Sequence, residues 1–157
     1  MSRRDQIRMS DAEIRNYLAR SQTIIIISIN KDGTSHPMPM WYAVEPDGAI
    51  AMTTFTKSQK VRNIERDSRV TLLVEDGDFY GELRGAVIYG VAELIRDRDR
   101  ILEIIDRVGE KSLADPRDTG REAVRKTVRS TAPKRTAILV RPERILSWDH
   151  RKLGGVY

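Results

Sequence analysis

The stretch Met52-Thr-Thr-Phe-Thr-Lys-Ser-Gln-Lys60 carries the side chains best suited to chemistry. It has the form of a strand that runs directly into a helix. The first amide groups of a helix lack partners, and the helix dipole favours an anion there. Hydroxyl and amine groups join these amides, namely those of Thr53, Thr54, Thr56, Lys57, Ser58 and Lys60. The pattern predicts a phosphate site, and the alternative is a capped helix with two solvated lysines.

Other common catalytic groups are missing from the 157-residue sequence. It has no cysteine and only two histidines, His36 and His150. A thiolate metal site, a cysteine nucleophile and a histidine-rich metal centre are therefore excluded. No paired carboxylates, Ser-His-Asp set, GxGxxG motif or Walker motif stands out. We expect no metal and no catalytic side chain.

Short β-branched segments separated by turn residues must position this junction. Strands are predicted over 23–29, 35–45, 49–55, 69–75, 85–95, 136–140 and 144–148, with Pro142 at a bend or edge. The turns contain Asp32-Gly33, Asp47-Gly48 and Gly77. The pattern is typical of an antiparallel β-barrel of about six strands with inserted helices.

Helices are predicted at four places between or before these strands. Ser10 and Glu13 form a capping box, and Thr56 with Gln59 forms a second. A third helix covers 97–108 and ends at Gly109, and a short basic helix begins at Thr119. We expect one domain over residues 1–157, with residues 1–9 as a flexible N-terminal arm.

The net charge of +5 and the pI of about 9.7 suggest an anionic partner, which could be a nucleic acid, a membrane surface or a phosphorylated small molecule, and the alternative is a solvated surface rich in arginine. Only 6% of residues are Phe, Trp or Tyr, and no RNA-stacking pattern or recognition helix is evident. The longest apolar run, Ile24–Ile27, is too short to span a bilayer, and the N-terminus lacks the apolar core of a signal peptide. These features predict a cytoplasmic protein that binds neither nucleic acid nor membranes.

The sequence resembles the pyridoxamine 5'-phosphate oxidase-like split-barrel flavoproteins. The resemblance lies in the strand with its threonine pair, the lysine and serine at the helix start, and the run Lys60-Val-Arg-Asn-Ile-Glu-Arg-Asp-Ser-Arg-Val70. The Glu82-Leu-Arg-Gly85 strand start and the terminal Ser147-Trp-Asp-His150 extend it over nearly the whole chain. It is closest in pattern to the actinobacterial branch that uses the deazaflavin coenzyme F-420. Gln59 departs from the flavin-phosphate enzymes, which commonly place an arginine there.

This resemblance implies a split β-barrel of the FMN-binding type and a homodimer with cofactor sites at the subunit interface. The phosphate is expected on Lys57, Ser58 and Lys60, with Thr53 and Thr54 at the side chain or ring edge of the cofactor. Main-chain groups of the second strand are expected to face the ring, at His36, Pro37, Met38, Pro39 and Met40. Trp41 and Trp148 are candidates for the substrate pocket.

The implied activity is hydride transfer between coenzyme F-420 and an electron-poor small molecule. Two alternatives remain open, namely an FMN-binding oxidoreductase of the same fold and a non-catalytic protein that binds the coenzyme or a tetrapyrrole. The proton donor is also open between His36, His150, Tyr42 and water.

Overall fold

Seven antiparallel strands form one sheet in the computed structural model, which describes residues 2–113 and 120–154. The fold is mainly β, with helices inserted between the strands, as the sequence predicts. Its strands are β1 (Thr23–Ile29), β2 (Ser35–Trp41), β3 (Ala43–Val44), β4 (Ile50–Phe55), β5 (Arg69–Asp76), β6 (Arg84–Ile95) and β7 (Arg135–Asp149).

The order of the strands across the sheet is β2-β1-β5-β6-β7-β4-β3. β2 and β3 therefore lie at opposite ends of this order, although only Tyr42 separates them in the sequence. The sheet must curl until its two ends meet at Tyr42, whose side chain is fully buried. The predicted second strand over 35–45 is accordingly interrupted at this residue.

Alternation along β1 decides which side chains form the core. Ile24 and Ile26 are fully buried, while Ile25 and Ile27 on the opposite face are only half-buried. The inward side chains of β4, β5 and β6, such as Met52, Leu72 and Ile88, join the same cluster. We call the inward surface of the sheet the inner face and the other the outer face.

Five α-helices flank the sheet: α1 (Arg3–Ile7), α2 (Asp11–Arg20), α3 (Gln59–Arg66), α4 (Arg98–Leu113) and α5 (Arg121–Ser130). Ser10 and Glu13 form the predicted capping box of α2. Met9 and Ile14 both enter the main core beside it. Residues 3–7 of the expected N-terminal arm form α1, and the Met9 amide donates to Ser147 Oγ.

Three predicted element boundaries differ from the structure. α4 does not end at Gly109 but runs on to Leu113, and Arg125, which bonds Asp106, passes 3.2 Å from where a Cβ on Gly109 would lie. The last two predicted strands are one strand, β7, with a β-bulge at Glu143 where the register shifts beside Tyr89 and Gly90. The short basic helix begins at Arg121, and Thr119 lies outside the described residues.

Short 3₁₀ turns cover Tyr80–Glu82, Ala132–Lys134 and His150–Leu153. Within the two described ranges, no helix combines the length and apolarity needed to cross a membrane.

Candidate functional site

Three of the predicted phosphate-binding side chains meet where β4 leads into α3. Lys60 Nζ donates a 3.0 Å hydrogen bond to Thr54 Oγ1, and Thr54 Oγ1 donates at 3.4 Å to Ser58 Oγ. The Lys60 ammonium group keeps two further N–H donors, and the Ser58 hydroxyl donates no described hydrogen bond. We call Thr54, Ser58, Lys60 and the adjoining helix amides the α3 anion site.

Two backbone amides at the start of α3 complete this site. The amides of Gln59 and Lys60 have no acceptor among the described residues, and the N-cap Ser58 makes no side-chain capping bond. The capping box expected from Thr56 is wrong, because the Thr56 hydroxyl lies 2.9 Å from that of Thr136 instead. The first turn of α3 therefore keeps its unpaired donors for an anion.

The buried positive charge of Lys60 has no negative charge paired with it in the described structure. Its side chain is buried, and burial alone lowers the pKa of its amine below the usual range. No carboxylate among the described residues forms an ion pair with it. A buried ammonium group without a counter-ion is costly unless an anion is bound beside it.

Asn63 holds α3 in place, a role that no sequence pattern indicated. Its side-chain amide donates to Ser28 Oγ and to Asn30 Oδ1, both at 3.0 Å, and is fully buried. Gln59, where the flavin enzymes commonly have arginine, donates at 2.9 Å to Asn63 Oδ1. Gln59 therefore supports the helix rather than the anion site.

Thr53 does not join Thr54 at the α3 anion site. Successive residues of a strand point to opposite faces, and Thr53 lies on the outer face. Its hydroxyl accepts at 3.4 Å from Arg135 Nη1, a group the sequence did not single out. Lys57 is exposed in the turn before α3, and no described contact ties it to Thr54 or Lys60.

β2 lies next to β1, the strand to which Asn63 of α3 is hydrogen-bonded. His36, Met38 and Met40 pair with Ser28, Ile26 and Ile24, so they share the inner face. None of the described contacts links these residues or Pro39 to the α3 anion site. Their expected role at a cofactor ring stays a prediction.

The free edge of β2 has an unusual hydrogen-bonding character. β2 is an edge strand, and Pro37 and Pro39 have no N–H. Proline fits such a strand where its nitrogen faces away from the ladder. Between Ser35 and Trp41 this edge consequently offers carbonyl acceptors and no amide donor.

The two tryptophans lie in different surroundings. Trp41 is exposed on the outer face opposite Thr23, whereas Trp148 lies across Gly85 on β6, where a Cβ would be 2.3 Å from its ring.

Among the candidate proton donors, Tyr42 is fully buried and donates to Leu18 O at 2.8 Å. The His150 ring lies against the Tyr80 ring, with the centroids 4.7 Å apart and the planes tilted by 56°. Tyr42 is thus unable to protonate a ligand.

A groove of about 610 Å³ lies on the outer face, away from the α3 anion site. Ile27, Ile29, Thr71 and Tyr89 line its walls, and the bulge at Glu143 borders it. No group of three or more potential metal ligands occurs in the described part of the chain. The described structure therefore combines unpaired donors at the start of α3 with a separate groove of mixed apolar and charged lining.

The profile of the pyridoxamine 5'-phosphate oxidase family matches residues 10–149. Since this match covers most of the sequence, the chain belongs to that family. The fold is the split barrel of these proteins. No curated protein matches the sequence.

Solved structures agree with this assignment. A conserved hypothetical protein from Mycobacterium tuberculosis is 38% identical, with a TM-score of 0.84 over 100% of this chain and 95% of the other. A protein described as an F420 reductase is 23% identical, with a TM-score of 0.63 over 83% and 94%. The heme storage protein HutZ from Vibrio cholerae is 14% identical, with a TM-score of 0.65 over 86% and 93%. The last two likenesses show the fold alone.

Proposed function

We propose that the protein is an oxidoreductase that transfers a hydride between the deazaflavin coenzyme F-420 and an electron-poor small molecule. The observation that carries this proposal is the α3 anion site. Its donors are a buried ammonium group, a hydroxyl and two free amides, which together suit a phosphate group. The sequence resemblance to the F-420-dependent branch and the fold shared with an F420 reductase support the choice of coenzyme.

The protein's part in this reaction is binding and orientation. Lys60, Ser58 and the amides of Gln59 and Lys60 would hold the phosphate, and Thr54 keeps Lys60 aimed at it. The carbonyls along the β2 edge would accept from N–H groups of a heterocyclic ring. When bound, the deazaflavin supplies the hydride chemistry. Such positioning lowers the barrier without a protein nucleophile.

The same donors suit the phosphate of FMN, so an FMN-dependent oxidoreductase is the second candidate. The α3 anion site has no feature that distinguishes a phosphate monoester from a diester. The side chain of Gln59 turns to Asn63 and leaves the site without the arginine of the flavin enzymes. This difference favours F-420 over FMN.

Self-association through the outer face forms part of the proposal. Large apolar side chains exposed on this face include Ile29, Trp41, Val91 and Leu146, on β1, β2, β6 and β7. Ile29 also lines the 610 Å³ groove, and exposed apolar side chains on one face often mark an interaction site. A second copy of the chain is the proposed partner, and the cofactor sites are proposed to lie along that interface.

Fluorescence titration of the purified protein with oxidised F-420 and, separately, with FMN tests the proposal. We expect micromolar or tighter binding of F-420 and weaker binding of FMN. Lys60→Gln should weaken F-420 binding at least tenfold, because it removes a charge-assisted hydrogen bond. Lys31→Gln, in the exposed β1–β2 turn, is the matched control. Binding of neither coenzyme, or equal binding by Lys60→Gln and wild type, would refute the proposed site.

A further inference from the structure

Consecutive threonines on β4 serve two different faces of the sheet. Thr54 pairs with Thr136 and belongs to the α3 anion site, whereas Thr53 pairs with Ala137 on the outer face. The next residue on that outer face is Phe55, which pairs with Arg135. A second polar cluster therefore lies behind the α3 anion site, separated from it by the thickness of one strand.

Arg135 is fixed in this cluster by three contacts. Its Nε donates to Thr131 Oγ1 at 2.8 Å, and its Nη1 donates to Thr53 Oγ1 at 3.4 Å. Its guanidinium carbon lies 4.7 Å from the centre of the Phe55 ring. An arginine held by two hydroxyls and an aromatic face is oriented before any ligand binds.

The charge of Arg135 lacks compensation in the described part of the chain. No carboxylate there forms an ion pair with it, and burial lowers the pKa of its guanidinium group below the usual value. A guanidinium group has five N–H donors, and the two described bonds use two of them. The remaining donors suit a planar or tetrahedral anion. By contrast, Arg125 and Arg129 on the nearby α5 are both paired with Asp106.

Both clusters lie at the same end of the barrel. The Thr56 amide donates to Lys134 O at 3.0 Å, which holds the end of β4 beside the start of β7. The Ser58 amide donates to Phe55 O at 3.0 Å, so one tight turn connects the two clusters. Lys57 is exposed in this turn. Positive charge therefore lies on both sides of this turn, at Lys60 and Arg135, and within the turn, at Lys57.

We propose that Arg135 and Thr53 form a second anion-binding point, which takes a further carboxylate or phosphate of the ligand whose phosphate occupies the α3 anion site. This inference rests on the proposed function. It specifies the ligand class as a phosphate ester that carries a second, separate anionic group. F-420 carries carboxylates beyond its phosphate, whereas the phosphate of FMN is its one strongly anionic group.

Matched titrations of wild type, Arg135→Gln and Arg135→Lys with F-420 and with FMN test this inference. Arg135→Gln should weaken F-420 binding about tenfold and change FMN binding less than twofold. Arg135→Lys, which keeps the charge without the planar fork, should recover part of the loss. Thermal unfolding of each variant without ligand checks that the fold is retained.

The possible results separate this inference from the proposed function. If Arg135→Gln binds F-420 as tightly as wild type, the second anion point is refuted while the α3 anion site stands. If both coenzymes weaken equally, Arg135 acts on the whole site, and the inference is also refuted. If wild-type protein binds FMN alone, the two-anion ligand class is wrong. Binding of neither coenzyme refutes the proposed function itself.

Discussion

The ammonium group of Lys60 and the hydroxyl of Thr54 are joined by a buried 3.0 Å hydrogen bond that faces no carboxylate in the described chain. Lys60 is the second residue of α3 and Thr54 is the last but one of β4, so this bond connects the helix to the strand across the turn. It keeps a positive charge in a poorly solvated place before any ligand arrives. Such an arrangement favours ligand binding at the expense of the stability of the free protein.

Lys60→Met should therefore stabilise the ligand-free protein while it weakens phosphate binding. Removal of an uncompensated buried charge is expected to raise the melting temperature by about 2–4 °C, which corresponds to about 1 kcal/mol for a domain of this size. Thermal unfolding monitored by circular dichroism measures the change. Lys57→Gln, whose lysine is exposed in the same turn, should leave the melting temperature within about 1 °C. A lower melting temperature for Lys60→Met would contradict this expectation.

Glu45→Gln should destabilise the contact between the β3–β4 turn and α4. The buried Glu45 Oε2 accepts from Arg107 at 2.8 Å and from Arg100 at 3.0 Å. Loss of this carboxylate leaves Arg107 without its described ion pair and Arg100 with Glu103 alone, and we expect the free energy of unfolding to fall by about 2 kcal/mol. Urea denaturation measures it. Glu65→Gln removes the exposed pair with Arg96 and should cost less than about 0.5 kcal/mol. Equal losses of unfolding free energy in the two variants would contradict the expected role of Glu45 in joining this turn to α4.

Gly85→Ala should disturb the packing of Trp148. An added Cβ would lie 2.3 Å from the Trp148 ring and 2.8 Å from Val74 O, so the indole must move. We expect a loss of about 1–3 kcal/mol in unfolding free energy and a red shift of tryptophan fluorescence. Gly81→Ala, where nothing lies within 4 Å, is the control and should change neither quantity. An unshifted spectrum for Gly85→Ala would show that Trp148 does not depend on this glycine.

Lys111 should make stability depend on pH between about 7 and 10. Its amine lies 3.4 Å from the centre of the Tyr42 ring and donates to Leu18 O, and burial lowers its pKa from 10.5 to about 7. In this range the unfolded chain holds a proton that the folded chain has lost, so stability rises with pH. Lys111→Met should reduce that rise by about 1 kcal/mol, with allowance for partial exposure. Urea midpoints of wild type and Lys111→Met at pH 7.0 and 9.5 measure how stability changes with pH. An equal change in both proteins would refute this expectation.

Leu146→Glu should prevent the proposed self-association. Leu146 is exposed on the outer face beside Val87, and a buried charge there is costly. Light scattering after size exclusion should give twice 18.0 kDa for wild type and about 18.0 kDa for the variant. Phe79→Ser, on the β5–β6 hairpin, is the control for loss of an exposed apolar side chain. A monomeric wild type would refute the dimer.

Much of the barrel could be predicted from local patterns. The β-branched alternation of Thr23–Ile29 and the glycine turns at Gly33 and Gly48 depend on neighbouring residues alone. The close approach of Arg125 to Gly109 on α4 could not, because Arg125 lies sixteen positions further along. Pro142 likewise marks a bulge only once its pairing with Gly90 is known.

The α3 anion site was accessible from the sequence because its three side chains fall within seven residues. Arg135 and Asn63 were not, since their partners Thr53 and Ser28 lie 82 and 35 residues away. The separation of Thr53 from Thr54 was available in principle, because adjacent strand residues point to opposite faces. The sequence offered no means to decide which face carries the second cation.

The single-residue link at Tyr42 has a consequence for how the protein opens. Since β2 pairs with β1 and β3 pairs with β4, the two ends of the sheet are held together by one fully buried residue. Neither end of the sheet can separate without pulling Tyr42 out of the core and exposing its hydroxyl bond to Leu18. Amide protons of β1 and β4 should therefore exchange with deuterium in one concerted event, although the strands are distant in the sheet order. We therefore expect the two ends of the sheet to unfold together rather than one after the other.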